Sequence, residues 1–112
     1  MADELTLRQY QSRVDEWITT YGVRYFSELN ILAQLVEEVG EVARIVGRRY
    51  GEQSGDDPGR SLGDELADVL FTVACLANTT GIDLTDELAR NMDKKTRRDA
   101  TRHRANEKLS GS

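Results

Sequence analysis

Apolar side chains recur along this chain at steps of three and four, the period of a helix rather than a strand. Leu7, Tyr10, Val14, Trp17 and Ile18 give a first helix one apolar face. Thr6-Leu7-Arg8-Gln9 has the form of a capping box, so this helix starts there and runs towards Tyr21, where Gly22 breaks it. Ser27 can cap a second helix from about Glu28 to Tyr50, with Leu32, Leu35, Val36, Val39, Val42, Ala43 and Val46 on one stripe. A third helix runs from about Ser61 to Thr80 and is stopped by Gly81. Asp83 is placed to cap a fourth from Leu84, continuing to about Arg104. Gly51 to Gly59 has almost nothing to bury and several turn formers, which predicts a surface loop, and the Ser-Gly-Ser end should fray. With no strand pattern and no repeat, the expected fold is all-α, about four helices in one domain whose core spans about residues 5–104.

The third helix adds an expectation about assembly. From Leu66 to Ala77 only Asp68 and Thr72 are polar, so apolar side chains surround most of its circumference. Such a helix needs cover on every side, and three neighbours from one short chain hardly supply it. A second subunit should therefore pack against it, completing the bundle by homo-oligomerisation.

Carboxylates interrupt these apolar faces in a regular way. Glu37-Glu38-Val39-Gly40-Glu41 lies on the second helix and Glu65-Leu66-Ala67-Asp68 on the third. Glu38/Glu41 and Glu65/Asp68 are each spaced i, i+3, so each pair shares a helix face. Glu38 and Glu65 stand about 90° from the centre of their own apolar stripes, at the margin where packed helices meet. Antiparallel packing of the two helices would gather all four. Clustered anions repel, and an isolated carboxylate such as Asp68 inside an apolar helix is costly to bury. A hard divalent cation relieves both costs, and Mg²⁺ prefers carboxylate oxygens. Two solvated acidic faces would produce the same spacing. Gly40 argues for the site: a glycine inside a helix costs about 1 kcal/mol against alanine, which points to close approach of another backbone or a ligand.

Composition narrows the class. One proline, 31% charged and 38% apolar residues suit a helical globular protein of 112 residues, and that length allows a single core. A net charge of −5 argues against nucleic-acid binding by the whole surface, although Lys94 to Lys108 is strongly basic. The lone Cys75, in an apolar run, reads as a buried thiol and requires no oxidising compartment. The absence of a leader or of an apolar run near the ~20 residues needed to span a bilayer makes the cytoplasm the expected location.

The pattern Glu-Glu-x-x-Glu, then after a few tens of residues Glu-x-x-Asp, resembles the signature of MazG-like nucleotide pyrophosphohydrolases of the short, single-domain type. Val14-Asp15-Glu16-Trp17-Ile18, Tyr25-Phe26-Ser27, Tyr50-Gly51-Glu52, Cys75-Leu76-Ala77-Asn78, Ile82-Asp83-Leu84 and Arg98-Asp99 extend the resemblance over roughly Leu5 to His103. It implies an all-α fold in homodimers or dimers of dimers. It also implies hydrolysis of nucleoside triphosphates to the monophosphate and pyrophosphate, as in cleansing a nucleotide pool. Carried over by position, Glu38, Glu41, Glu65 and Asp68 would hold Mg²⁺, with Mn²⁺ as a substitute. Glu37 would orient or deprotonate the attacking water, or else be a solvated glutamate.

Other residues carry two readings each. Lys94, Arg98 and Arg102 share a face at i, i+4, i+8 and would grip phosphates; cations near a helix C-terminus also complement its dipole. The Lys-x-x-x-Asn spacing of some relatives is replaced here by Asn91 and Lys95, which weakens any carry-over of base recognition. Trp17, Tyr25 and Phe26 would stack a base or fill the core. Asn78 would bond a base or ribose, or finish the third helix beside Gly81. Arg44, Arg48 and Arg49 read as a solvated helix face. Two rival functions remain. One is a non-catalytic helical module binding nucleic acid through the basic fourth helix, which would tolerate EDTA. The other is an enzyme hydrolysing phosphoribosyl-ATP with similar acids.

Overall fold

The computed structural model describes residues 4–51 and 61–110; the expected loop beyond Gly51 and the last two residues of the tail lie outside them. The described residues form helices and turns with no strand. α1 (Leu7–Trp17) begins on both halves of the expected capping box: Gln9 N donates to Thr6 Oγ1 at 3.1 Å, and Thr6 N to Gln9 Oε1 at 2.8 Å. It widens into a π-helical turn, Ile18–Gly22. The chain then reverses at Val23, whose φ is +73°, with Arg24 N donating to Gly22 O at 2.9 Å. That three-residue turn is strained for a β-branched side chain, so the break falls one residue beyond the glycine that the sequence singles out.

α2 (Glu28–Tyr50) has the expected bounds, and Ser27 Oγ accepts from Asn30 N at 3.3 Å. α3 (Leu62–Thr79) is capped by Ser61, whose Oγ accepts from Asp64 N at 3.2 Å. Its C-terminus closes with Gly81 at φ +71°, where Ile82 N reaches back to Ala77 O at 2.9 Å. This is the left-handed cap that glycine adopts without steric cost.

Two compact units result, Met1–Ile82 and Asp83–Ser112. In the first, Val14 and Ile18 of the α1 region, Ile31 of α2 and Ala74 and Cys75 of α3 form a buried cluster, flanked by Tyr10, Tyr25, Phe71 and Leu76. Ile31 meets Ala74 and Cys75, while Glu38 meets Glu65 and Asp68, so α2 and α3 run antiparallel as expected. Cys75 is buried, and burial pushes its thiol up.

The apolar stripe read on α2 proves to be two seams. Ile31 and Ile45 are buried, with Leu35 and Val42 half-buried beside them. Leu29, Leu32, Val36, Val39, Ala43, Val46 and Tyr50, spaced by threes and fours, are all exposed. Val36 keeps 64% of its surface open. The expected stripe mixed the two because Leu32, Val36, Val39 and Val46 are as apolar as the residues that pack inward. On α3, Leu66 and Leu70 are likewise exposed, whereas Thr72, Ala74 and Ala77 are buried. Thr72 is satisfied by donating to Asp68 O at 3.0 Å.

The second unit is built on α4 (Leu84–Asp99) and the short α5 (Glu107–Ser110). Asp83 caps α4 as expected, its Oδ1 accepting from Thr85 N at 2.9 Å. The helix ends five residues short of Arg104. Beyond Asp99 the chain tightens, with Arg102 N donating to Asp99 O at 3.2 Å, so the i, i+4, i+8 face is not carried to Arg102. Among the described residues no single helix is long and apolar enough to cross a membrane.

Candidate active site

α2 and α3 bring carboxylate oxygens of Glu38, Glu65 and Asp68 within 4.8 Å of one another. Glu65 is the buried member, with 6% of its surface exposed, and Glu38 is half-buried. Asp68 is exposed, which corrects its expected burial: the carboxylate withdrawn from solvent is that of Glu65. Burial pushes the Glu38 carboxyl above its ordinary value, and the neighbouring Asp68 and Glu65 charges, a hydrogen bond with Glu65 and the Glu41 charge raise it further.

Glu41 completes the expected quartet in sequence but not in this group. Its Oε2 accepts from Arg44 at 2.6 Å, one turn along α2. Arg44 is accordingly half-buried and not part of a solvated face. Gly40 lies between these acids with open space where a Cβ would stand, so no described atom of this chain approaches it closely. The close approach expected there is not supplied by the described residues.

The donor set suits a hard cation. Three carboxylates on two rigid helices offer only oxygen ligands, as Mg²⁺ and Mn²⁺ chemistry requires, and no described histidine or cysteine joins them.

Glu37 is exposed on the neighbouring face of α2. It lines a recess of about 320 Å³ with Phe26, Asn30, Ala33 and Gln34. Phe26 and Gln34 also line a cleft of about 260 Å³ whose walls are mostly apolar, among them Trp17, Ile31 and Phe71. The two hollows therefore adjoin. Trp17 is half-exposed, and its ring meets Phe71 edge to face, the centroids 5.6 Å apart. Trp17 thus has one edge packed and surface to spare, which accommodates both readings of this residue.

Asn78 belongs to a different arrangement. Its Nδ2 donates to Gln11 O at 3.0 Å and to the Tyr25 hydroxyl at 2.9 Å, and its Oδ1 accepts from Gln11 Nε2 at 3.0 Å. Gln11 Nε2 also donates to Ile82 O at 2.8 Å, and Tyr25 donates to Asp15 Oδ1 at 2.7 Å. Burial and the bond to Asp15 push the Tyr25 hydroxyl up to about 12. The amide of Asn78 is engaged at both ends, and both amide hydrogens are spent within the fold.

Of the expected phosphate cations, Lys94 stands exposed on α4. Arg98 and Arg102 both pair with Asp99, at 3.0 and 3.3 Å. Sequence reading missed Gln11, Gln34 and Phe71. Gln11 announced itself only as a polar residue on the apolar face of α1, and Gln34 as a polar break between Leu32 and Leu35.

Comparison with known proteins gives a consistent result. Residues 26–103 match the family model of the MazG nucleotide pyrophosphohydrolase domain. The chain is 39% identical to YpjD of Bacillus subtilis over 104 residues, covering 91% of this chain and 93% of that protein. The crystal structure of B. subtilis YpjD superposes with a TM-score of 0.74 at 41% identity, over 84% of this chain and 95% of that one. A crystal structure of the Bacillus-conserved MazG protein, described as a nucleotide pyrophosphohydrolase, superposes with a TM-score of 0.71 at 40% identity, over 83% and 92%.

Proposed function

The chain belongs to the MazG nucleotide pyrophosphohydrolase family, and we propose that it hydrolyses nucleoside or deoxynucleoside triphosphates, with Mg²⁺, to the monophosphate and pyrophosphate. The observation that carries this reading is the convergence of Glu38, Glu65 and Asp68 from facing helices onto one point. Bound there, a divalent cation would polarise phosphoryl oxygens and lower the pKa of water.

The residues divide the remaining work. Glu38, Glu65 and Asp68 hold the cation, and Glu41 joins them by giving up Arg44. Glu37 faces the adjoining recess, where it orients the attacking water and takes its proton. Trp17 and Phe71 flank the cleft that receives the base. Lys94 and Arg98 are assigned to phosphate, Arg98 in exchange for Asp99, whereas Arg102, off their helix face, is assigned to its pairing with Asp99. Asn78 is assigned to the fold and not to substrate, since its amide is already engaged at both ends. Removal of unwanted nucleotides from the pool is a role that suits this reaction.

The second seam of α2 and the open side of α3 support homo-oligomerisation. Leu29, Leu32, Val36, Val39 and Val46, with Leu66 and Leu70, form an apolar surface that a second copy of the chain would cover. Sedimentation should give a dimer or a dimer of dimers. A folded, active monomer at micromolar concentration contradicts this part of the proposal.

The test of the reaction is product analysis across ribo- and deoxyribonucleoside triphosphates. Pyrophosphate and monophosphate should appear in equal amounts with Mg²⁺ and not with EDTA. Orthophosphate as the product, or hydrolysis unaffected by EDTA, overturns the reading.

A further inference from the structure

Gln34 occupies the junction between the two hollows. Its side chain lines both the aromatic cleft and the recess ending on Glu37. It precedes Glu38 by four residues, just over one helical turn or ~6 Å along α2, a separation that a nucleotide's sugar can span. A base in the cleft would thus lie on one side of Gln34 and the reacting phosphate on the other.

The other strong hydrogen-bonding groups near the cleft cannot offer a free donor and acceptor side by side. Arg24 donates from a guanidinium nitrogen to Tyr25 O at 2.9 Å, and its remaining N–H groups are donors only. The Tyr25 hydroxyl donates to Asp15 and accepts from Asn78. The Gln34 amide makes no bond to any described group and stays exposed at the mouth. An apolar cleft with one adjustable polar group at its rim is the usual construction of a small-molecule site. The aromatic walls hold a ring of any kind by stacking, so discrimination falls to the hydrogen-bonding group.

We infer that Gln34 reads the hydrogen-bonding edge of the nucleobase, its amide presenting a donor and an acceptor side by side. The inference rests on the proposed hydrolysis of nucleotides and names the residue that sets base preference in that same site. An amide matches an edge that pairs an amino group with a ring nitrogen, and by turning over it also matches a carbonyl beside a ring N–H. Gln34 therefore rewards bases with a paired edge over rings that lack one.

The experiment measures kcat/KM for pyrophosphate release by wild type, Gln34→Leu and Gln34→Ala. The substrates are dCTP and dATP, each beside an analogue with hydrogen in place of the exocyclic amino group. In wild type, loss of the amino group from the better-used base should cost about tenfold. In both variants that penalty should shrink to near unity, because the partner of the amino group is gone. Each variant should lose about tenfold on the intact base and little on the stripped one, with circular dichroism unchanged at this exposed helix position. Equal losses on intact and stripped substrates, or no loss at all, overturn the inference while leaving the hydrolysis reading intact. A wild-type protein that releases pyrophosphate from no nucleotide instead removes the functional reading on which the inference stands.

Discussion

Asn78 and Glu65 both stand on α3 and are both drawn into the helical bundle, yet their surroundings are opposite. Asn78 lies in a chain of complementary partners: Gln11, Tyr25 and Asp15 match donors to acceptors at 2.7–3.0 Å and tie α1, α3 and the segment before α2 together. Glu65 lies among like charges, beside Glu38 and Asp68. The first arrangement gains stability from every bond it closes. The second spends stability to hold anions together, a cost that folding alone does not explain. Polar groups that complete one another belong to the fold, and those that crowd like charge belong to function.

Substitutions should separate the two regions. Replacing Glu65 or Asp68 by Ala should reduce turnover by well over the ~100-fold that altering even an outer partner of a metal ligand costs. The melting temperature of the metal-free protein should hold or rise in the same variants. An active Asp68→Ala protein in steady-state assays would erase the distinction.

Glu37→Gln should lower kcat by roughly 10²–10⁴-fold, the loss typical of a general base, while Mg²⁺ and nucleotide bind as before. Glu38→Gln should differ by recovering in part at high Mg²⁺. If excess Mg²⁺ fully rescues Glu37→Gln, Glu37 is another ligand; if its rate is that of wild type, it is a solvated glutamate.

The amide network should behave inversely. Asn78→Ala removes the two bonds to Gln11 and the one to the Tyr25 hydroxyl and should lower unfolding free energy by about 2–3 kcal/mol in denaturant titrations, with kcat within a few-fold of wild type. Tyr25→Phe removes the bond to Asp15 and the one from Asn78 and should cost about 1–2 kcal/mol. A large fall in kcat with unchanged stability would instead return Asn78 to the substrate.

The smallest expected effect is a pH dependence. The folded protein keeps the Glu38 proton to higher pH than the unfolded chain does. In metal-free buffer, stability associated with Glu38 is therefore fully present below its ordinary value of 4.5 and is lost as pH rises through the raised folded value. Saturating Mg²⁺ should oppose that loss, because the metal competes with the proton for the same oxygens. Melting curves across this window, with and without Mg²⁺, measure both slopes.

The sequence carried the helices and most of the site because both depend on local signals. The capping box at Thr6, the bounds of α2 and the i, i+3 carboxylates are patterns within one turn or one helix. What it hid depends on which neighbour arrives. Nothing local distinguishes Leu32 from Ile31, yet α3 and α1 bury only the second. Asp68 looked like the costly charge because its sequence neighbours are apolar, but burial is set across the helix pair and falls on Glu65. Asn78 and Gln11 are 67 residues apart, so their pairing had no local signature. Arg102 left its expected face when the chain tightened after Asp99, a backbone change its composition does not announce.

If the Glu38–Glu65–Asp68 crowding exists to hold a divalent cation, thermal unfolding with and without Mg²⁺ must reveal it. Wild type should gain melting temperature as Mg²⁺ rises, following RT ln(1 + [Mg²⁺]/Kd). Glu65→Gln, with one charge removed from the cluster, should start at least as stable without metal and respond far less to Mg²⁺. Equal Mg²⁺ responses in the two proteins, or a wild type indifferent to Mg²⁺ at millimolar concentration, would contradict the account.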